Sequence, residues 1–171
     1  MRSVVGRAVP RLAFFGLLVV LVGCDHVTKH VAKASLEGQP PRDLVHGVLD
    51  LQYVENTDVA FNLLRRVPVS TRRPVLIAAG AVAGIALVGV LLRRRPRRPA
   101  AQMALLLVAA GAVGNYADRL ARGYVVDFVH LHHWPVFNVA DVYVVAGAVL
   151  LVAMSLSAPR ARDGVSGRPA V

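Results

Sequence analysis

The sequence is poor in cysteine and in aromatic residues. Its 171 residues include one cysteine, Cys24, and only 6% are Phe, Trp or Tyr. A lone cysteine forms neither an intrachain disulfide nor a zinc site of paired thiolates. The aromatic residues are not interleaved with the basic ones, as they are where nucleic-acid bases stack on a protein surface. We therefore expect no disulfide framework and no nucleic-acid partner.

Acidic residues are also scarce, with 10 Asp and Glu against 20 Lys and Arg. The arginines lie in runs beside long apolar segments, as at residues 93–98, which is typical of the cytoplasmic flanks of membrane helices. Hydrophobic residues make up 56% of the chain. This composition predicts a membrane protein.

Four apolar segments predict four transmembrane helices. The clearest is Val75 to Leu92, 18 residues without a charge that follow Pro74 and precede the arginine run. At about 1.5 Å per residue, this length nearly crosses a hydrocarbon core of about 30 Å. The predicted spans lie near residues 11–33, 74–92, 100–117 and 139–158. In the first span, we expect Lys29 to pair with Asp25 and to reach toward the membrane interface.

The segment near residues 44–64 has a different pattern. Leu49, Leu51 and Tyr53 alternate with polar residues, which is the periodicity of a strand. We therefore predict an all-α polytopic membrane protein whose four transmembrane helices carry a small extracytoplasmic β element.

The charges also predict an orientation. Four spans place both termini on the side of the arginine loop, and the positive-inside rule makes that side cytoplasmic. Nine of the ten acidic residues fall on the opposite face, the exception being Asp163. Residues 1–158 are thus expected to form a membrane-embedded domain with an outward-facing site. Residues 159–171, rich in Gly, Pro, Ser and Arg, predict a disordered cytoplasmic tail.

Four aspartates stand at membrane boundaries, where a charged carboxylate is costly without a partner or a purpose. They are Asp25, Asp118, Asp127 and Asp141. Asp118 precedes Arg122 by four residues, which favours a structural salt bridge. Asp141 follows Asn138 by three residues, which resembles a helix capping box. Asp127 has no basic partner nearby in sequence and is the hardest to explain structurally.

Asp127 and Asp141 flank a 13-residue stretch between the third and fourth spans. Both can therefore lie at the extracytoplasmic end of this pair of helices. Two neighbouring carboxylates share a proton because they cannot both ionise readily. The ionised member can take a proton from water, while the protonated member polarises a scissile carbonyl and later protonates the leaving amine. The pair therefore predicts an aspartyl protease that needs neither a metal nor a covalent intermediate.

Five short motifs resemble those of lipoprotein signal peptidase, also called signal peptidase II. They are DHVTK at 25–29, ENTDVAF at 55–61, GNYADR at 114–119, VVDF at 125–128 and FNVAD at 137–141. They occur in the family's order and span roughly residues 12 to 156. Each motif alone is weak evidence for the family. Five motifs in the family's order, together with four predicted spans, are specific evidence.

The resemblance implies a catalytic dyad of Asp127 and Asp141. It also implies residues that support the dyad or bind substrate, namely Asp25, Asn56, Asn115, Asp118, Arg119 and Asn138. The family's fold has four transmembrane helices and a small extracytoplasmic β cradle in the bacterial inner (cytoplasmic) membrane. Its reaction is hydrolysis of the peptide bond before the diacylglyceryl-modified cysteine of a prolipoprotein, beside membrane lipid and without a cofactor.

The chain departs from the family pattern in two places. Asp58 stands where the family usually has glycine, which puts the loop after Asn56 in question because aspartate tolerates positive φ less well. The stretch between the dyad aspartates is shorter than in many relatives and contains three histidines before Trp134.

Two alternatives remain open. The segment Leu21 to Cys24 resembles a lipobox, so the chain could itself be a processed lipoprotein. His130, His132 and His133 with Asp127 could instead ligate a metal ion. We expect no metal site, and we interpret the spacing of Gly80 and Gly84 as helix packing.

Overall fold

The chain folds into four helices and a three-stranded sheet. The structure, a computed structural model, describes residues 10–57, 68–93 and 98–157. In chain order the elements are α1 (Arg11–Leu36), β1 (Arg42–Val45), β2 (Leu49–Asn56), α2 (Val69–Arg93), α3 (Pro99–Ala121), β3 (Val125–Leu131) and α4 (Val139–Leu156). Asp58 and the predicted tail at 159–171 lie outside the described residues.

Three helices of the described part are long and apolar enough to cross a membrane, namely α1, α3 and α4. Each of these helices begins and ends within a few residues of the predicted limits of its span. The chain is thus a membrane protein with α-helical spans, and the count of four spans stays a prediction.

Helix α2 begins before the predicted start of its span. Its first turn forms on Pro68, whose carbonyl accepts hydrogen bonds from the amides of Thr71 at 2.9 Å and Arg72 at 3.2 Å. Pro74 therefore lies inside the helix. It lacks the N–H that would bind the Ser70 carbonyl, so α2 continues with one backbone hydrogen bond fewer.

Glycines allow α3 to pack closely against its neighbours. A Cβ added at Gly147 of α4 would lie 2.6 Å from the carbonyl oxygen of Ala104 in α3. A Cβ added at Gly80 of α2 would lie 2.5 Å from the ring of Tyr116. The packing role of Gly80 is therefore confirmed. At Gly84 no described atom lies within 4 Å, so the packing role of Gly84 stays a prediction.

The sheet has the order β1-β2-β3, and both pairs of strands are antiparallel. The β element predicted near residues 44–64 is confirmed for its described part by β1 and β2. The third strand was missed, and the all-α assignment was incomplete for that reason. Residues 125–129 are nearly continuously apolar and lack the alternation that marks a half-exposed strand. In the register of β2 and β3, Asp127 lies opposite Val54.

Lys29 of α1 is fully buried and joins α1 to α3. Its Nζ lies 2.8 Å from Asp25 Oδ2 and 2.9 Å from Asp118 Oδ2. It also donates to Asn115 Oδ1 at 2.8 Å. The pairing with Asp25 is confirmed, but the prediction that Lys29 reaches the interface was wrong. Two inward-facing carboxylates offset the cost of burying the ammonium group.

Asp118 and Asp25 both have structural partners. Asp118 accepts from Arg122 at 2.9 Å, which confirms the predicted salt bridge. Asp25 Oδ1 accepts from the backbone amide of Ala140 at 2.9 Å and so binds the first turn of α4. Helix α1 runs unbroken through the lipobox-like segment that ends at Cys24. Cleavage before Cys24 would divide this helix next to buried Asp25, which disfavours the processed-lipoprotein alternative.

Replacing Lys29 should strongly destabilise the protein. Lys29→Met leaves Asp25 and Asp118 buried without their shared cation, a loss that costs about 3–5 kcal/mol in comparable buried pairs. We expect a marked fall in the Tm of the detergent-solubilised protein. The matched control is Lys33→Met, one turn later, where the lysine is half-exposed and pairs with Glu37 at 3.5 Å. Equal melting of the two variants would contradict the role of Lys29.

Candidate active site

A cavity of about 590 Å³ lies where β2, β3, α3 and α4 meet. Its polar lining comprises Glu55, Asn56, Thr57, Arg72, Asn115, Arg119, Asp127 and Asp141. Its apolar lining comprises Val54, Val125, Trp134, Pro135, Val136, Phe137, Val144 and Val145. The cavity thus combines three carboxylates, two guanidinium groups and an extended apolar wall.

Asp127 enters the cavity from β3 and is 2% exposed. Its Oδ1 accepts from Asn138 Nδ2 at 2.6 Å, and its Oδ2 accepts from Asn56 Nδ2 at 2.7 Å. Burial raises the pKa of Asp127 to about 6, although the hydrogen bond from Asn56 opposes the rise. The negative charge of Asp141 raises this pKa further, while Asn138 and Lys29 lower it.

Asp141 lies in the first turn of α4 and forms a capping box with Asn138. The Asp141 amide donates to Asn138 Oδ1 at 3.1 Å, and the Asn138 amide donates to Asp141 Oδ2 at 3.1 Å. The predicted cap is therefore confirmed. Asp141 Oδ1 is left to accept from Asn115 Nδ2 at 2.8 Å.

Asn138 connects the two aspartates. It is fully buried, and it binds Asp127 through its side chain and Asp141 through its backbone amide. Asn115 makes a second connection, because its Oδ1 accepts from both Lys29 and Asn138 while its amide donates to Asp141. Each of the four carboxylate oxygens thus accepts an N–H group. This arrangement holds both carboxylates in fixed orientations.

The structure brings six of the eight predicted site residues together at the cavity. Asn56, Asn115, Arg119, Asp127 and Asp141 line it, and Asn138 lies directly behind both aspartates. Asp25 and Asp118 do not line the cavity. They are buried in the protein, where both pair with Lys29. Arg119 is anchored by a hydrogen bond from its Nη1 to the carbonyl of Asn115 at 3.2 Å.

Sequence reasoning missed Arg72 and the structural role of Lys29. The position of Lys29 within the DHVTK motif, four residues after Asp25, was a usable signal for the latter. The proposed metal ligands also come together differently. Among the described residues, His130 and His132 cluster with Asp50 rather than with Asp127.

Comparison with known proteins gives one consistent result. A family model described as signal peptidase (SPase) II matches residues 17–157. The lipoprotein signal peptidase of Rhodococcus jostii (strain RHA1) is 38% identical over 152 residues, which cover 85% of this chain and 73% of that protein. The lipoprotein signal peptidase of Moorella thermoacetica is 31% identical over 140 residues, which cover 82% and 90%.

Solved structures share the fold. A bacterial membrane enzyme determined by the in meso method at 2.3 Å resolution superposes with a TM-score of 0.75 at 25% identity. The match covers 88% of this chain and 91% of that structure. A second bacterial membrane enzyme, determined at 1.9 Å, gives a TM-score of 0.77 at 24% identity and covers 90% and 98%. The helices and the sheet are thus arranged as in experimentally determined membrane enzymes.

Removing the Asn56 amide should raise the pKa of Asp127. The Asn56 donor stabilises the charged carboxylate, so Asn56→Ala favours the protonated form and should move the pKa above about 6. The carboxyl ¹³C shift of Asp127, followed against pH in labelled protein, measures this change. Tyr53→Phe is the matched control, since Tyr53 lies on the same strand but donates to Glu55. An unchanged or lower pKa in Asn56→Ala would contradict the assigned hydrogen bond.

Proposed function

The chain belongs to the signal peptidase II family, and from that premise we propose that Asp127 and Asp141 together hydrolyse prolipoproteins. The resemblance carried by the five motifs is thereby confirmed, and the chain is a bacterial membrane protease of lipoprotein processing. The observation that carries the mechanism is the shared network at the cavity. Two aspartates from different elements direct their carboxylates into one space and are held by three asparagines.

The reaction needs one proton on the pair at rest. Asp127 is the member suited to hold it, because burial and the charge of Asp141 raise its pKa. Asp141 lies at the start of α4 and faces the same cavity, so we assign it the role of base. The carboxylate of Asp141 then takes a proton from water, and the hydroxide formed attacks the scissile carbonyl carbon. Asp127 donates a hydrogen bond to the carbonyl oxygen and stabilises its developing charge.

Collapse of the tetrahedral intermediate breaks the C–N bond. Asp127 gives its proton to the leaving amine, and Asp141 retains the proton taken from water. Transfer of that proton from Asp141 to Asp127 restores the resting pair. One water molecule is consumed, two peptides are released, and both aspartates return to their starting state.

The supporting residues fall into two groups. Asn56, Asn115 and Asn138 orient the carboxylates, and Arg119 offers N–H donors to the backbone of a bound peptide. Asp25 and Asp118 act at a distance: Asp25 binds the amide of Ala140, and Asp118 fixes Lys29 behind Asn115. We class these two as positioning residues.

The apolar wall of the cavity suits a lipid-modified substrate. Val144 and Val145 of α4 line the cavity, and α4 is among the helices able to span a membrane. Val145 is also 61% exposed, so it can contact acyl chains of the bilayer or of a substrate. We therefore propose that the diacylglyceryl group lies along α4 while the peptide bond before the modified cysteine reaches the aspartates.

The proposed placement in the membrane follows the charges. Four spans with the arginine loop at 93–98 on the cytoplasmic side put both termini in the cytoplasm. The aspartates and the sheet then lie at the extracytoplasmic face of the inner membrane. This placement matches the route of a signal peptide that has crossed the membrane.

Asp127→Asn and Asp141→Asn should each abolish cleavage of a lipid-modified prolipoprotein. Loss of a positioned acid or base costs on the order of 10²–10⁴-fold in rate. An asparagine keeps the shape and one acceptor oxygen of the aspartate, but its NH2 group stands where the second oxygen accepted an N–H, so we expect a modest fall in Tm and a protein that still folds. The matched control is Asp43→Asn on β1, whose carboxylate pairs with His46 at 2.8 Å. Retained turnover in either dyad variant would contradict the proposed mechanism.

Asp118→Asn should behave differently from the dyad variants. It weakens the ion pairs with Lys29 and Arg122, so we expect a lower Tm together with reduced turnover. Activity should then recover as the assay temperature is lowered. A variant that melts normally but is inactive at every temperature would instead place Asp118 in the chemistry.

A further inference from the structure

A second cluster of polar side chains lies on the sheet, apart from the proposed dyad. Asp50 of β2 stands directly opposite His130 of β3 in the strand register. His132 follows just after β3, and its backbone amide donates to the Val48 carbonyl at 3.0 Å. One carboxylate oxygen and two imidazole nitrogens of these three residues all lie within 4.8 Å of one another. We propose that Asp50, His130 and His132 bind one divalent transition-metal ion, for which Zn²⁺ fits best.

The distances suit a metal ion. Asp50 Oδ2 lies 3.3 Å from His130 Nδ1 and 3.3 Å from His132 Nε2. Ligand atoms that each lie about 2.0–2.1 Å from a tetrahedral zinc ion are about 3.3 Å apart. The Asp50 oxygen therefore lies at the separation from each nitrogen that two ligand atoms of one tetrahedral zinc ion would have.

The chemistry of the donors points to the same class of ion. Two imidazoles and one carboxylate form a mixed nitrogen and oxygen set, which suits zinc and other late first-row divalent metals. In the described part of the chain, Asp50 forms ion pairs only with the two histidines and with no lysine or arginine. A divalent cation would supply a fixed positive charge beside the Asp50 carboxylate.

The cluster is accessible yet formed in advance by the fold. The Asp50 side chain is 17% exposed, against 29% for His130 and 44% for His132. An ion can enter from solvent, and water can fill its remaining coordination position. The pairing of β2 with β3 places the ligands without the ion, so little ordering is needed on binding.

This site is distinct from the proposed dyad. Asp127 precedes His130 by three residues on β3, a separation of about 10 Å along a strand. An ion at the cluster would therefore not touch the dyad. It would instead cross-link β2 to β3, the two strands that carry Asn56 and Asp127. Such an ion revises the expectation of a metal-free protein without entering the proposed chemistry.

Zinc binding to the full-length protein in detergent tests the proposal. The protein is purified without a polyhistidine tag, stripped with a chelator and titrated with Zn²⁺ against a chromophoric competitor. We expect one equivalent to bind and to raise Tm. His132→Gln and Asp50→Asn should each weaken binding at least tenfold and abolish the Tm rise. His132→Gln keeps a side-chain amide able to hydrogen-bond with Asp50, so it separates lost ligation from misfolding.

His133→Gln is the matched control. His133 is adjacent in sequence but lies outside the cluster, so this variant should bind zinc as the wild type does. The proposal is overturned if the wild type binds no stoichiometric zinc, or if His133→Gln loses as much affinity as His132→Gln. These measurements do not involve cleavage. Their outcome is therefore independent of whether the proposed function is correct.

Discussion

The buried ammonium group of Lys29 is the interaction on which the rest of the structure depends. It joins Asp25 of α1 to Asp118 of α3 and hydrogen-bonds to Asn115. Through Asn115 it reaches Asp141, and through Asp25 it is tied to the first turn of α4. A single desolvated cation thus fixes three helices at the level of the cavity. Buried charges of this kind persist where every partner is satisfied.

This framework explains how the carboxyl groups of Asp127 and Asp141 can face one cavity in a state suited to acid–base catalysis. Hydrogen bonds from Asn56 and Asn138 favour the charged form of Asp127, while burial and the negative charge of Asp141 oppose it. For Asp127 the burial outweighs the amide donors, so its pKa rises to about 6. At neutral pH a minority of molecules therefore carry a proton on Asp127, beside a carboxylate at the start of a helix, and this protonated fraction rises as the pH falls toward 6. The asparagines matter because they fix orientation without adding charge.

The sequence predicted the features that depend on nearby residues and missed those set by distant ones. The capping box of Asn138 with Asp141 and the salt bridge of Asp118 with Arg122 follow from spacings of three and four residues. Burial of Lys29 could not be read from α1 alone, because its second carboxylate lies on α3. Strand β3 escaped detection since its apolar run resembles any buried segment. The partner of His130 and His132 proved to be Asp50, which is distant in sequence and adjacent only in the sheet.

The central claim is that Asp127 and Asp141 form one electrostatically coupled pair with the proton on Asp127. The most direct measurement is the pH titration of the Asp127 carboxyl ¹³C signal in the wild type and in Asp141→Asn. The account predicts a transition near pH 6 in the wild type that moves to lower pH in the variant, because the repelling charge is gone. A wild-type transition near the ordinary value of about 4 for aspartate, or one that Asp141→Asn leaves in place, would contradict it.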